Sequence, residues 1–270
     1  MKMNSPLAYI GGKSKLSKQI ISLIPDHKVY CEVFSGAAWV FFRKLPSRVE
    51  VLNDLDSELV AFYRVVQNHL EEFLKQFKWL LTSREWFQDW KNQLDAGGLT
   101  DIQKAARYYY VQRLAFGGKV KGRSYGVEID GQAPRINLLR LEEEMSAIHL
   151  RLAHVRIENL PWQKMIAKYD RPETFFYCDP PYYQCPDYKH NFVLEDFQEI
   201  AAALKDIKGQ FMLSINDHPD IREIFKGFNK KSVSLLYTVS STGPIEADEL
   251  IYSNFDFKEN RAMGLFDGFQ

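Results

Sequence analysis

The sequence predicts an α/β protein built on a doubly wound, Rossmann-like sheet, and three observations carry that expectation. Short runs rich in β-branched and aromatic residues alternate with amphipathic stretches of helical period along most of the chain. A first strand over 29–34 runs into Ser35-Gly36-Ala37-Ala38 and then a helix. In such folds that turn is where glycine lets the backbone approach a ligand closely. Finally, Asp54 stands 18 residues beyond Gly36, at the end of a second strand. Doubly wound folds place a ribose-binding acid at about that distance, roughly 20 residues on.

Taken in order, residues 15–24 read as a helix that Pro25 ends. Residues 29–34 form the first strand, 39–44 the helix after its turn, and 48–53 the second strand. Asn53-Asp54-Leu55-Asp56-Ser57 can serve a ligand or cap a helix; we assign Asp54 to the ligand and Asp56 or Ser57 to the cap. A long amphipathic helix is expected over 58–80, with further helices over 84–94 and 101–114. Their aromatics Phe62, Tyr63, Phe73 and Trp86 are expected in the core rather than around a cofactor.

Residues 113–140 break the pattern. Gly117, Gly118, Gly122, Gly126 and Gly131 make the segment rich in loops. Arg113, Lys119, Lys121, Arg123, Arg135 and Arg140 face only Glu128 and Asp130, a local charge of +4. A basic, glycine-rich segment in a neutral chain is a candidate nucleic-acid surface. Lys119, Lys121, Arg123 and Arg135 are its candidate contacts, with Arg123 expected to read a base. A helix over 138–152, a strand over 154–158 and a helix over 162–168 follow. Beyond 182 come a polar aromatic loop over 183–191, a helix over 195–205, a strand over 210–215 and a helix over 219–226. Two last strands, 231–239 and 249–252, read as a hairpin joined by Ser240-Ser241-Thr242-Gly243-Pro244.

The chemistry is concentrated at Asp179-Pro180-Pro181-Tyr182, after the apolar strand 173–178. Two prolines end a β-ladder because neither can donate an N–H. Asp179 is thereby left at the C-terminal end of its strand, the edge where open α/β sheets bind ligands. A carboxylate, the Pro180 carbonyl and the Tyr182 ring together suit a planar heterocycle that carries an amino group. Gly12-Lys13-Ser14 looks like the end of a phosphate-binding loop, but Leu7 stands where that motif needs glycine.

Asp-Pro-Pro-Tyr after an apolar strand resembles the catalytic motif of the amino-methyltransferases of DNA. Tyr9-Ile10-Gly11-Gly12-Lys13 resembles the opening motif of their Dam-like, adenine-N6-specific group, where the loop folds over S-adenosylmethionine. Glu32, Phe34 and Gly36 match that group's acidic-Pro-Phe-x-Gly-x-Gly pattern, with Val33 in place of the proline and Ala38 in place of the second glycine. The motif order also matches. The resemblance implies an S-adenosylmethionine-dependent methyltransferase fold, with residues 1–57 and 151–270 as catalytic domain and 58–150 as a helical insertion carrying target recognition. It implies cofactor contacts at Tyr9, Lys13, Glu32, Phe34, Gly36, Asp54 and Asp179, and catalysis by Asp179, Pro180, Pro181 and Tyr182. The expected substrate is adenine in double-stranded DNA at a specific sequence, reached by base flipping. Cytosine N4 is an alternative target, and a non-catalytic DNA-binding protein on the same fold is a second.

Composition fits that reading. The 270 residues suffice for one α/β domain with an insertion. With equal numbers of acidic and basic residues the net charge is zero, so a DNA site must arise from local clustering. No apolar run reaches the roughly 20 residues of a membrane span, and no signal peptide opens the chain. Cys31, Cys178 and Cys185 are odd in number and scattered, which fits a reducing cytoplasm and no disulfide framework. Cys178, Cys185 and His190 lack the paired spacing of a zinc site, so no metal is expected. A monomer is the expected state.

Overall fold

The computed structural model describes residues 3–9, 11–126, 136–186, 188–237 and 245–257. Its centre is a seven-stranded sheet in the order β3-β2-β1-β4-β5-β7-β6. The strands are β1 (Val29–Glu32), β2 (Val49–Asn53), β3 (Arg156–Glu158), β4 (Thr174–Cys178), β5 (Gln210–Asn216), β6 (Asn229–Tyr237) and β7 (Ile245–Ser253). β1 to β5 pair in parallel, while β7 inserts antiparallel between β5 and β6. The predicted hairpin is therefore present. Its predicted turn at Ser240–Pro244, and Thr238 and Val239 before it, lie outside the described residues.

The chain leaves β1 toward β2 and β3 on one side, then returns to β4 and β5 on the other. The strand order thus reverses between β1 and β4, and a crevice opens at their C-terminal ends. Successive side chains of a strand point to opposite faces. In β4, Phe175 and Tyr177 join one apolar cluster while Phe176 and Cys178 join the other. The second cluster is closed by the helices α8 (Trp162–Tyr169), α9 (Leu194–Lys205) and α10 (Pro219–Ile224).

The first cluster extends from the sheet into the helices built from 58–150. These are α3 (Ser57–Asn68), α4 (Leu70–Lys75), α5 (Arg84–Ala96), α6 (Asp101–Leu114) and α7 (Leu141–Leu152); α1 (Ser17–Leu23) and α2 (Trp39–Arg43) precede them. Helix α6 is buried nearly all round, with Tyr108, Tyr109 and Tyr110 at most 1% exposed. Phe62 of α3 stacks on Tyr109 with ring centroids 5.6 Å apart. Residues from both segments share one continuous core.

Two expectations change. The single helix over 58–80 breaks at His69, whose φ of −139° and ψ of 42° are not helical. His69 donates its N–H to Val65 O and accepts from Phe73 N, closing α3 and opening α4. The bend lets Phe73 pack on Phe62 and Tyr109, at 5.9 and 5.7 Å. Phe62, Tyr63 and Phe73 are core as expected, but Trp86 is 45% exposed, and the buried indole of α5 is Trp90. Trp86 lies one turn before Trp90 on the rim of the packed face, where helical period alone does not separate the two.

Phe62→Ala is expected to destabilise the protein by about 3–5 kcal/mol. Because the core is continuous, urea unfolding followed by far-ultraviolet dichroism and by tyrosine fluorescence should give one coincident transition. Two separated transitions would mean that 58–150 unfolds as its own unit.

Candidate functional site

The crevice at the strand-order reversal is a cleft of about 310 Å³. It brings together Tyr9, Lys13, Glu32, Phe34, Gly36, Asp54, Asp179 and Pro181, which are 172 residues apart at the extremes. Pro180 is buried behind them and Tyr182 is partly buried.

At the β1 end, the Phe41 N–H of α2 and the Tyr30 hydroxyl both donate to Glu32 Oε1 at 2.7 Å. Burial pushes the Glu32 carboxyl up to about 8. Glu32 borders the cleft, and these two bonds, both to Oε1, fasten β1 to α2. Gly36 follows with φ +46°, a left-handed conformation. A Cβ there would lie 3.4 Å from the Tyr9 ring, so the missing side chain lets Tyr9 lie over the turn. Ala38, in place of the expected second glycine, also takes a left-handed conformation at φ 52°. That costs an L-residue roughly 1–2 kcal/mol. Phe34 meets Phe192 edge-on at 5.6 Å across the cleft wall.

At the β2 end, Asp54 Oδ2 accepts the Gly36 N–H and Oδ1 accepts the Asp56 N–H, each at 2.9 Å. These bonds fix the carboxylate facing the cleft and leave each oxygen a second lone pair. Burial pushes Asp54 up to about 6. Asp56 caps α3 by accepting from Glu58 N, the role expected for it. It also accepts from Lys189 Nζ at 2.8 Å, which ties the loop beyond Tyr182 to the helical layer.

At the β4 end, Asp179 Oδ1 accepts from Ser214 Oγ at 3.0 Å and from Lys13 Nζ at 2.5 Å. Burial raises the Asp179 carboxyl to about 6; Lys13 opposes the rise and Glu249 adds to it. Lys13 Nζ also touches Tyr182 Oη at 2.8 Å and Glu249 Oε1 at 3.1 Å, and it stands 4.6 Å above the Tyr182 ring. Burial lowers the Lys13 pKa, but the Asp179 and Glu249 carboxylates outweigh it and hold the ammonium charged. The cation thus sits at the Tyr182 hydroxyl end of the ring expected to stack a heterocycle.

The N-terminal loop is held from the helical layer. Gln112 of α6 donates to Ala8 O at 2.8 Å and to Gly118 O at 2.9 Å. Gly118 has φ +67°, and a Cβ on it would meet Tyr9 N at 2.9 Å. Beyond α6, residues 114–126 fold back on themselves: Phe116 N donates to Ser124 O and Gly126 N to Leu114 O, both at 2.9 Å. Lys121 is exposed and Lys119 partly exposed. Arg123 departs from expectation. It is 8% exposed, lies 3.7 Å from Glu58 and packs 5.1 Å from the Tyr108 ring. A planar guanidinium between an acid and an aromatic is well suited to such a buried place. Arg135, with the rest of 127–135, lies outside the described residues.

Sequence reasoning did not single out Glu249, Ser214 or Gln112. Ser214 and Glu249 are polar residues within buried strands, and that mismatch is their one local signal. Gln112 gives a similar hint, a fully buried amide in an aromatic helix.

Residues 9–239 match the model of the D12 class N6 adenine-specific DNA methyltransferase family. Over 279 residues the chain is 29% identical to the type II methyltransferase M1.LlaDCHI of Lactococcus lactis subsp. cremoris, covering 92% of this chain and 94% of that protein. It is 24% identical to the type II methyltransferase M.CviBI of Paramecium bursaria Chlorella virus NC1A, covering 84% of this chain and 88% of that one. The DNA N-6-adenine-methyltransferase of Escherichia phage P1 is also 24% identical, over 87% of this chain but 33% of its own length.

Two basic side chains of the 119–123 loop, Lys121 and Arg123, are expected to behave differently. Arg123→Ala removes a buried guanidinium packed between Glu58 and Tyr108 and should lower the melting temperature by several degrees, about 2–4 °C for each kcal/mol lost. Lys121→Ala, at an exposed position, should melt within about 1 °C of the wild type. Differential scanning calorimetry distinguishes them, and equal melting temperatures would place Arg123 outside the core.

Proposed function

The chain belongs to the D12 class N6 adenine-specific DNA methyltransferase family, and from that premise we propose that it transfers a methyl group from S-adenosylmethionine to adenine N6 at a specific DNA sequence, with Asp179, Pro180, Pro181 and Tyr182 receiving the flipped base. The observation that carries this reading is that Asp179 and Asp54 open into one cleft at the strand-order reversal. One carboxylate stands where a cofactor ribose belongs and the other where a substrate amino group can reach it.

The residues present fit the cofactor. Gly36 leaves the turn open, Phe34 and Tyr9 offer apolar walls, and Asp54 keeps acceptor capacity for ribose hydroxyls. When bound, S-adenosylmethionine supplies an electrophilic methyl group on a good leaving group.

Adenine N6 is a poor nucleophile because its lone pair is delocalised into the ring. Asp179 accepts one N6–H, and the Pro180 carbonyl accepts the other. Localising the lone pair in this way aims it at the incoming carbon. Ser214 holds the Asp179 carboxylate in place beforehand, which spares reorganisation during the reaction. The adenine is buried in a duplex and is flipped out at a cost of a few kcal/mol. Stacking on Tyr182 returns about 1–3 kcal/mol. Lys119 and Lys121 contact phosphates, and the sequence-reading side chains lie on the same segment.

Two outcomes are expected. Asp179→Ala should lower the single-turnover methylation rate by about 10²–10³-fold while changing cofactor affinity little. Transfer of labelled methyl to DNA measures it, and near-wild-type turnover would remove Asp179 from the chemistry.

The second concerns pH. Asp54 and Asp179 are both raised to about 6, so both are ionised above that pH and protonated below it. A protonated carboxyl has lost its charge and one acceptor position. Cofactor affinity should therefore fall as pH drops through about 6 because of Asp54, and the transfer rate should fall over the same range because of Asp179. Asp54→Asn should weaken cofactor binding by roughly 1.5–3 kcal/mol and abolish the pH dependence of affinity alone. Calorimetry across the pH range tests this, and an unchanged affinity profile would move the ribose site away from Asp54.

A further inference from the structure

Strand β7 brings a second carboxylate to the catalytic edge. It pairs antiparallel with β5, with Glu249 opposite Asn216. The Asn216 side chain in turn bonds both Tyr183 N and Tyr183 O, so β5 holds the chain just beyond Tyr182. Glu249 is 4% exposed, and its Oε1 accepts the Tyr182 hydroxyl at 2.7 Å.

Lys13, Asp179 and Glu249 thus form a buried group of one cation and two anions. The ammonium lies 2.5 Å from Asp179 and 3.1 Å from Glu249, and the Lys13 side chain is 4% exposed. In this arrangement Lys13 and Ser214 both engage Asp179 Oδ1, so the lysine competes with a target amino group for the charge of the carboxylate. A buried ammonium cannot lose its counter-ion without a large penalty. Glu249 is already within reach, so a small swing exchanges one carboxylate for the other.

We propose that Glu249 is a positioning residue for methyl transfer: it takes over the Lys13 ammonium and keeps the Tyr182 hydroxyl in place while Asp179 receives the amino group. The inference rests on the assignment of Asp179 as the amino-group acceptor. Charge agrees with it. With both acids ionised the three groups carry one net negative charge, which a bound cationic sulfonium neutralises. With Lys13 and Asp179 alone the pair would be neutral and Asp179 would stay locked to the lysine.

The test is Glu249→Gln in the full-length enzyme with duplex DNA and labelled S-adenosylmethionine. Glutamine keeps the shape and an acceptor for Tyr182 but removes the charge. Single-turnover rate should fall by roughly tenfold or more, with cofactor affinity within about threefold of wild type. The acid limb of the rate should also move to lower pH, by about half a unit or more. Asp179 is faced by Lys13 from the N-terminal loop, Tyr177 from β4, Ser214 from β5, Glu249 from β7, Tyr182 and Tyr188 from the following loop, and Glu32 from β1. Of these, the substitution removes one anion and tightens the Lys13 pair, and both effects lower the limb. A merely structural residue would lower the melting temperature and leave the single-turnover rate of the folded enzyme unchanged at a pH above the limb.

A second comparison uses Lys13→Met, which removes the cation that Glu249 is inferred to hold. Adding Glu249→Gln to it removes one charge of each sign, and the rate should then change by no more than about twofold. A wild-type rate in the single variant, an unmoved acid limb, or a further roughly tenfold loss in the Lys13→Met background would each overturn the inference. Full activity of Asp179→Ala would instead overturn the assignment of Asp179 itself.

Discussion

A single ammonium group, that of Lys13, ties together parts of the chain that the sheet alone leaves apart. It joins the N-terminal loop to Asp179 at the end of β4 and to Glu249 on β7. Burying these charges is expensive, and the Coulomb attraction among them repays the cost only with good geometry and further hydrogen bonds. Ser214 and Tyr182 supply those bonds. A second buried ionic cluster, Lys44 and Arg151 around Glu50, lies away from the cleft on β2 and packs on Tyr30 and Phe41. The two differ in their setting. Around Glu50 both cations lean on aromatic walls, whereas the Lys13 group opens onto a cleft and can change partners.

The cleft owes its shape to the reversal of strand order between β1 and β4. Parallel strands point their C-terminal ends the same way, so Glu32, Asn53 and Cys178 finish at one edge and the turns after them converge. The helical layer then holds the lid of that edge. Tyr63 of α3 donates to Gly36 O, and Gln112 of α6 grips Ala8 and Gly118. Lys189 reaches back to Asp56 at the start of α3. The 58–150 segment therefore does more than carry a basic loop: it positions the N-terminal loop over the glycine turn.

Electrostatics divides the molecule. The cleft gathers carboxylates, at Glu32, Asp54, Asp56 and Asp179, while exposed lysines stand on the loop beyond α6. An acidic interior suits a cationic cofactor, and a basic rim suits phosphates. Such a separation allows a chain of zero net charge to serve two ligands of opposite sign.

The sequence by itself determined the element order, the doubly wound class and most of the cleft. Hydrophobic period, the Gly36 turn and the Pro180-Pro181 stop are local properties, set by backbone sterics and missing N–H donors. They place Gly36, Asp54 and Asp179 correctly because strand ends share one edge whatever packs around them. Tertiary structure decided what sequence neighbours cannot encode. The break at His69 follows from the fit of Phe73 against Phe62 and Tyr109. Arg123 was drawn inward by Glu58 and Tyr108, which lie far from it in the chain. Glu249 reached Lys13 because β7 inserts beside β5, a pairing chosen by the whole sheet. Each of these depends on partners distant in sequence, and distance in sequence carries no local signal of contact in space.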